Sequence, residues 1–150
     1  VYPICCAGRI TAFEETDDGR ILISLKGLCR FRISEELATT RGYRRVMADW
    51  QDFEADLQED AGDGVDRDAL FKSLKAYFTA QGIQASWDAL CGTPNERLIN
   101  SLAMICPFAP PEKQALLEAT SLADRARVLT TLVEMAVLDT SGDGSEKSKQ

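Results

Sequence analysis

Histidine is absent from the 150 residues, and that absence removes a large part of familiar enzyme chemistry. A serine or cysteine nucleophile has no imidazole base to activate it, so Ser-His and Cys-His mechanisms are excluded. The usual zinc sets are missing too, because no CxxC accompanies the missing histidine. Lysine is scarce: Lys26, Lys72, Lys75, Lys113, Lys147 and Lys149 are all there is. A Ser-Lys dyad is compatible with composition, but none of these lysines stands in a context that suggests a desolvated amine. No GxxxxGK[ST] loop is present to cradle a phosphate. No apolar run approaches the ~18 residues of a spanning helix, so no membrane partner is expected. Residues 1–8, VYPICCAG, lack the charged start of a signal peptide. With Val1 in first place, the chain reads as a piece of something larger.

Positive charge is also short. Twenty-four acids against 17 bases leave a net charge of −7, which argues against nucleic acid, whose phosphates need a basic face. The five cysteines, Cys5, Cys6, Cys29, Cys91 and Cys106, are odd in number and read as small thiols in a reducing, cytoplasmic setting. Paired acids such as Asp17-Asp18 and Glu35-Glu36 read as solvated surface. Near the end, Asp139, Ser141, Asp143 and Gly144 imitate a calcium loop, but Gln150 falls where a bidentate carboxylate is required. The expectation is therefore no catalytic residue, no cofactor and no metal.

What is present is hydrophobic patterning, carried by 45% apolar residues, in two styles. The first third has period 2. Ile4, Cys6, Gly8, Ile10 and Ala12 fall on one parity, with Arg9 and Thr11 on the other. Asp18-Gly19 is a hairpin turn. Ile21, Ile23, Leu25, Cys29, Phe31 and Ile33 then alternate with Ser24, Lys26, Arg30, Arg32 and Ser34, which predicts a long half-buried strand. Gly27 within it predicts a bulge or bend. Tyr43 to Trp50 alternates again as a third strand. Three strands cannot close a barrel, so part of a sheet is expected to lie upstream or in another chain.

After an acidic, glycine-containing stretch the period becomes helical. Leu70, Leu74, Tyr77 and Phe78 mark a helix with Asp66 as N-cap and Gly82 as stop. SWDAL predicts a short helix after Ser86. Thr93, Pro94 and Glu96 have the spacing of a capping box for the next, whose apolar side holds Leu98, Ile99, Leu102 and Ile105. Pro107, Pro110 and Pro111 force a break. A short helix follows, then a longer one capped by Ser121 with Leu122, Ala126, Leu129, Val133 and Ala136 on its stripe. The organisation expected is a β half over 1–53, a linker over 54–65, a helical bundle over 66–138 and a disordered polar tail over 139–150.

Two groups of side chains are candidates for binding. Arg30 and Arg32 share the presumed solvent side of the long strand, and Arg44 and Arg45 open the next; converging, they would form a cationic strip for an acidic peptide. A charged outer face that blunts edge pairing is the plainer reading. Trp50, Phe53 and Trp87 are either binding aromatics or packing residues at a sheet–helix junction, and their apolar payload favours packing.

The order of these elements resembles the N-terminal, substrate-binding domain of Lon ATP-dependent proteases, in particular the stand-alone bacterial proteins made of that domain. Gly8 and Ile10 match a "G-x-I" strand, and Gly27, Arg30, Phe31 and Ile33 match "G-x-x-R-F-x-I" after an acidic turn. GYRRVMADW is similar to the strand that follows. The most specific part is "P-x-x-x-K-Q-x-L-L-E" with "R-x-x-x-L", carried by Pro110 or Pro111, Lys113, Gln114, Leu116, Leu117, Glu118, Arg125 and Leu129. The match covers roughly residues 4–138. The resemblance implies an α+β fold, a small PUA-like β-barrel half (here N-terminally truncated) followed by an α-helical bundle. It implies engagement of unfolded or partly folded polypeptides, a protease or chaperone partner, and no catalysis, since the family's ATPase and Ser-Lys proteolytic modules lie elsewhere. The leading expectation is a non-catalytic polypeptide-binding or adaptor domain of the bacterial cytoplasm, with Arg30, Arg32, Arg44, Arg45 and Trp50 as peptide contacts. Its rivals are an ATP-independent peptidase and a self-association module. An unpaired sheet edge also predicts a homodimer.

Overall fold

The computed structural model describes residues 1–40, 42–58 and 64–146, with side chains described as far as Asp139. Three strands, β1 (Ile4–Glu15), β2 (Ile21–Leu37) and β3 (Arg45–Asp49), form an antiparallel sheet in the order β1-β2-β3. Five helices follow: α1 (Arg67–Gln81), α2 (Trp87–Cys91), α3 (Asn95–Ile105), α4 (Pro110–Glu118) and α5 (Leu122–Glu146). The fold class is α+β. The chain divides into two units, Val1–Glu59 and Asp60–Gln150.

The β1–β2 turn forms where Asp18-Gly19 places it, with Gly19 as the residue that needs a left-handed backbone (φ 78°). The Gly19 amide donates to Thr16 O at 2.9 Å and the Thr16 amide to Arg20 O at 2.8 Å, which closes a three-residue loop with glycine in the αL position. Beyond the turn the alternation breaks twice. The register steps from Ala7↔Cys29 to Gly8↔Gly27, leaving Leu28 as an extra residue on β2 beside the predicted glycine. It steps again between Ile10↔Leu25 and Ala12↔Ser24, leaving Thr11 extra on β1. Each inserted residue moves the following side chains to the opposite face. Because register partners share a face, Ile10, Phe13, Ile21, Ile23 and Leu25 lie together, while Ala12 lies behind them. The single odd-numbered face expected from Ile21 to Ile33 is thus two faces joined at a bulge.

The expected half-burial of this strand is also corrected. From Gly8 to Leu28 the hairpin is exposed on both sides apart from a partly covered Thr16. Burial resumes only at Cys29 and Arg30, where the 3-10 helix Gln51–Leu57 packs on β2 through Phe53. The first residues of the predicted linker, Glu54 to Leu57, therefore belong to a folded element; residues 59–63 lie outside the description.

The helical unit follows local sequence closely. Asp66 caps α1, accepting the Ala69 amide at 2.9 Å, and Gly82 ends it in the αL conformation. Ser121 caps α5, accepting the Asp124 amide at 3.1 Å. The capping box at α3 does not form. Pro94 takes the N-cap position, and the Thr93 hydroxyl turns back to donate to Ala89 O at 2.8 Å, finishing α2 instead. At the proline break Glu112 accepts the Ala109 amide at 2.6 Å, while Pro110 and Pro111 occupy first-turn positions that have no partner to lose.

Leu70 and Leu74 of α1, Ile99 of α3, and Leu129 and Val133 of α5 form the centre of the core and are fully buried. Each contributes ~1.5–3 kcal/mol by leaving water. Trp87 packs inside this unit against Phe78 and Phe71, with ring centres at 5.6 and 6.2 Å, and Phe53 packs inside the other. Two arginines close the bundle by taking up helix-end carbonyls. Arg67 donates to Leu90, Cys91 and Thr93 carbonyls at 2.8–3.0 Å and to Asn95 Oδ1. Arg125, one of the residues in the α5 pattern, donates to Leu116 O at 3.0 Å and Asn100 Oδ1 at 2.7 Å. Helix α5 extends to Glu146, past the expected start of the tail at Asp139. The side chains of the calcium-like sequence after Asp139, and all of residues 147–150, lie outside the described residues.

Candidate functional site

The five sequence candidates separate into two groups on the sheet. Arg30 and Arg32 alternate on β2 near Trp50, whereas Arg44 and Arg45 lie by Leu37, about 17 Å along the strand from Arg32. They do not converge on one groove.

Arg30 is not on a solvent face. It is 7% exposed, its Nε and Nη2 donate to Asp56 at 2.8 and 2.7 Å, and its backbone amide donates to the same carboxylate at 2.9 Å. Its guanidinium also stacks 4.7 Å from the Phe53 ring centre. The extra residue at Leu28 turns Arg30 toward the 3-10 helix, whose Asp52 and Asp56 meet Arg32 and Arg30 in turn. Arg32 holds Asp52 at 3.0 Å in solvent. Arg44 grips both oxygens of Glu36 at 2.6 Å, and these bonds hold the Glu36 carboxyl below its ordinary range. Arg45 is exposed and lines an open concavity of about 520 Å³ with Ala38, Thr39, Thr40 and Tyr43. Trp50 is half-exposed, its ring 5.1 Å from Phe31.

The larger feature was hidden in the pattern assigned to the core. Ile10, Phe13, Ile21, Ile23 and Leu25 form one row across two strands, with Phe13 opposite Ile23 and Ile10 opposite Leu25. Their exposures run from 52% at Ile23 to 76% at Phe13. Among the described residues the strands holding them have free edges: β1 is a sheet edge, and β3 reaches β2 only at Arg32–Leu37. A row of apolar side chains beside unpaired backbone groups can take an extended chain by main-chain hydrogen bonds and alternate side-chain contacts. The signal in the sequence was the alternation itself, which specifies a common face without saying what covers it.

Among the described residues no group of three or more His, Cys, Asp or Glu is placed to hold a metal ion. Burial pushes the Cys29 and Cys106 thiols up, away from the thiolate form. No helix among the described residues is long and apolar enough to cross a membrane.

Comparison with known proteins agrees with the element order. The crystal structure of a Lon N-terminal domain protein from Xanthomonas campestris matches with a TM-score of 0.54 at 18% identity, over 87% of this chain and 68% of that one. At that identity the match establishes a common fold. No curated protein matches significantly. The sequence pattern of the ATP-dependent protease La (LON) substrate-binding domain matches residues 1–134, nearly the whole chain. The chain belongs to the LON substrate-binding domain family.

Proposed function

We infer that this chain binds unfolded or partly folded polypeptides without acting on them, as a substrate-recognition or adaptor domain in the cytoplasm, and that the β1–β2 hairpin makes the contact. The observation that carries this reading is the exposed row Ile10, Phe13, Ile21, Ile23 and Leu25 beside free strand edges. The β unit is read as a PUA-like half. Arg45 and Trp50 extend the contact surface along the sheet; Arg32 and Arg44 reach it only by exchanging their present carboxylate partners, and Arg30 is held away from it by Asp56. The lack of histidine removes imidazole-based peptidase chemistry, and net charge −7 disfavours a nucleic-acid role. A protease or chaperone would act on what this domain holds.

The test is binding of a permanently unfolded, reduced and alkylated polypeptide by fluorescence anisotropy, at concentrations up to the ~millimolar range of weak contacts. Binding by the parent chain, lost in Phe13→Asp and Ile23→Asp variants with unchanged circular dichroism, supports the reading. Binding unaffected by either substitution would move the site elsewhere, and no binding would end it.

A second reading, self-association through the β1 edge, draws on the same unpaired backbone. The Thr11 bulge in that edge and the repulsion between two copies of charge −7 work against it.

A further inference from the structure

The hairpin's charges are not evenly spread, and their distribution selects among polypeptides. At the tip Asp18 is engaged by Thr16 and by Arg20 at 3.1 Å. Glu14, Glu15 and Asp17 are exposed, and no hydrogen bond or ion pair engages their side chains among the described residues. Glu15 is the register partner of Ile21 and shares the apolar face, one step beyond the Phe13–Ile23 pair. Toward the base the sign reverses: Arg9 and Lys26 are register partners on the reverse face, also exposed and without an ion-pair partner among the described residues. On the row's own face the charge is therefore acidic, at the tip. The basic pair lies behind the sheet and about 20 Å from Glu15, more than two Debye lengths at ~0.15 M salt, so the tip acts on a ligand separately from it.

We propose that the hairpin takes an extended client segment with apolar residues at alternate positions and a basic residue at the end lying over the tip. This rests on the polypeptide-binding reading above and adds a charge preference and an orientation to it. The apolar row is five residues over two strands, matching alternate side chains of a short extended segment. Uncompensated Glu15 and Asp17 beside Phe13 attract Lys or Arg and repel Asp or Glu at that end. A second copy of the chain is the poorer occupant, because it brings its own −7 charge and its own acidic tip.

The experiment uses two labelled peptides of identical alternating apolar core, one ending in two lysines and one in two glutamates, titrated with the full chain. Exposed pairs of this kind contribute modestly, so the basic peptide should bind roughly five- to tenfold more tightly, and the gap should close near ~0.5 M salt. Glu15→Gln with Asp17→Asn should bring the two peptides together while leaving circular dichroism unchanged. Equal affinity for the two peptides, or a preference untouched by the double variant, would overturn the charge rule and leave the polypeptide-binding reading standing. Failure of both peptides would overturn both. Light scattering across the same concentrations provides the last arm: a mass that doubles, together with loss of peptide binding, would show that a second copy holds the face.

Discussion

The two units treat similar apolar content in opposite ways. In the helical unit Leu70, Leu74, Ile99, Leu129 and Val133 meet at the centre and none of them touches water. In the β unit Ile10, Phe13, Ile21, Ile23 and Leu25 are just as regularly placed, yet all remain outside. Order in the β unit comes instead from polar and aromatic contacts at the foot of the hairpin, where Arg30, Asp56 and Phe53 lock β2 to the 3-10 helix. Periodicity therefore tells which side chains stand together, and only the presence of a facing layer decides whether they are buried. One unit has that layer within itself. The other leaves its apolar row without a facing layer among the described residues.

The largest expected effect tests this contrast directly. Leu129→Ala should cost ~3–5 kcal/mol in urea denaturation, because a fully buried leucine leaves a cavity as well as lost burial. Ile23→Ala should cost within about 0.5 kcal/mol, as for an exposed position. Similar costs for the two would mean that the hairpin row is covered in solution and would erase the distinction.

Next in size is the foot of the hairpin. Arg30→Met leaves Asp56 half-enclosed without its cation and should destabilise the β unit by about 2–4 kcal/mol. Arg32→Met, which frees the exposed Asp52 four residues before Asp56 on the same helix, should cost less than ~1 kcal/mol. Denaturation followed by Trp50 fluorescence in a Trp87→Phe background reports this unit; an equal loss from both substitutions would show that burial of the Arg30 pair is not what matters.

The sequence was legible where structure is local and opaque where partners are distant. Asp66, Gly82 and Ser121 act within a turn of the helix ends they define, so α1 and α5 could be read from their own residues. Thr93 was misplaced because two helix ends compete for it and the end of α2 takes it. In the hairpin, Gly27 announced a bulge but Thr11 carried no sign of one, and a single inserted residue is enough to exchange the faces. The 3-10 helix resembles a linker by composition, since the cations that hold Asp52 and Asp56 lie twenty or more residues earlier. Arg30 consequently looked solvent-facing, and the apolar row looked like core.

Two glycines provide a matched pair of smaller effects. Gly19 in the hairpin turn and Gly82 at the end of α1 both hold positive φ, 78° and 64°, with open space where a Cβ would go. Each Gly→Ala change should therefore cost about 1 kcal/mol from backbone conformation alone. The buried thiols distinguish where that cost falls: Cys29 reports opening of the β unit and Cys106 of the helical unit. Gly19→Ala should speed alkylation at Cys29 and leave Cys106 unchanged, and Gly82→Ala should do the reverse. Acceleration at both thiols by either change would show one cooperative transition across the two units.

The smallest effect is a pH dependence with one source in each unit. In α5 the Thr120 and Ser121 hydroxyls hold the Asp124 carboxyl below its ordinary range, with Arg127 adding to them. At the hairpin tip the Thr16 hydroxyl and then the Arg20 amide do the same for Asp18. A folded-state pKa below the unfolded ~3.9 gives stability that is present above that value and lost as the pH falls through the lowered one. Asp18 is exposed and Asp124 partly covered, so solvent screens both and the changes are small. Asp124→Asn should therefore lower helical stability above about pH 5 and converge on the parent chain below ~pH 3. Asp18→Asn should act with the same sign and in the same window, but only on amide exchange in the turn, because its partners are all within the loop it closes. If Asp18→Asn moved the helical denaturation midpoint as far as Asp124→Asn does, the tip would be coupled to the bundle, and the hairpin could not be the independent, ligand-facing element that its exposed row describes.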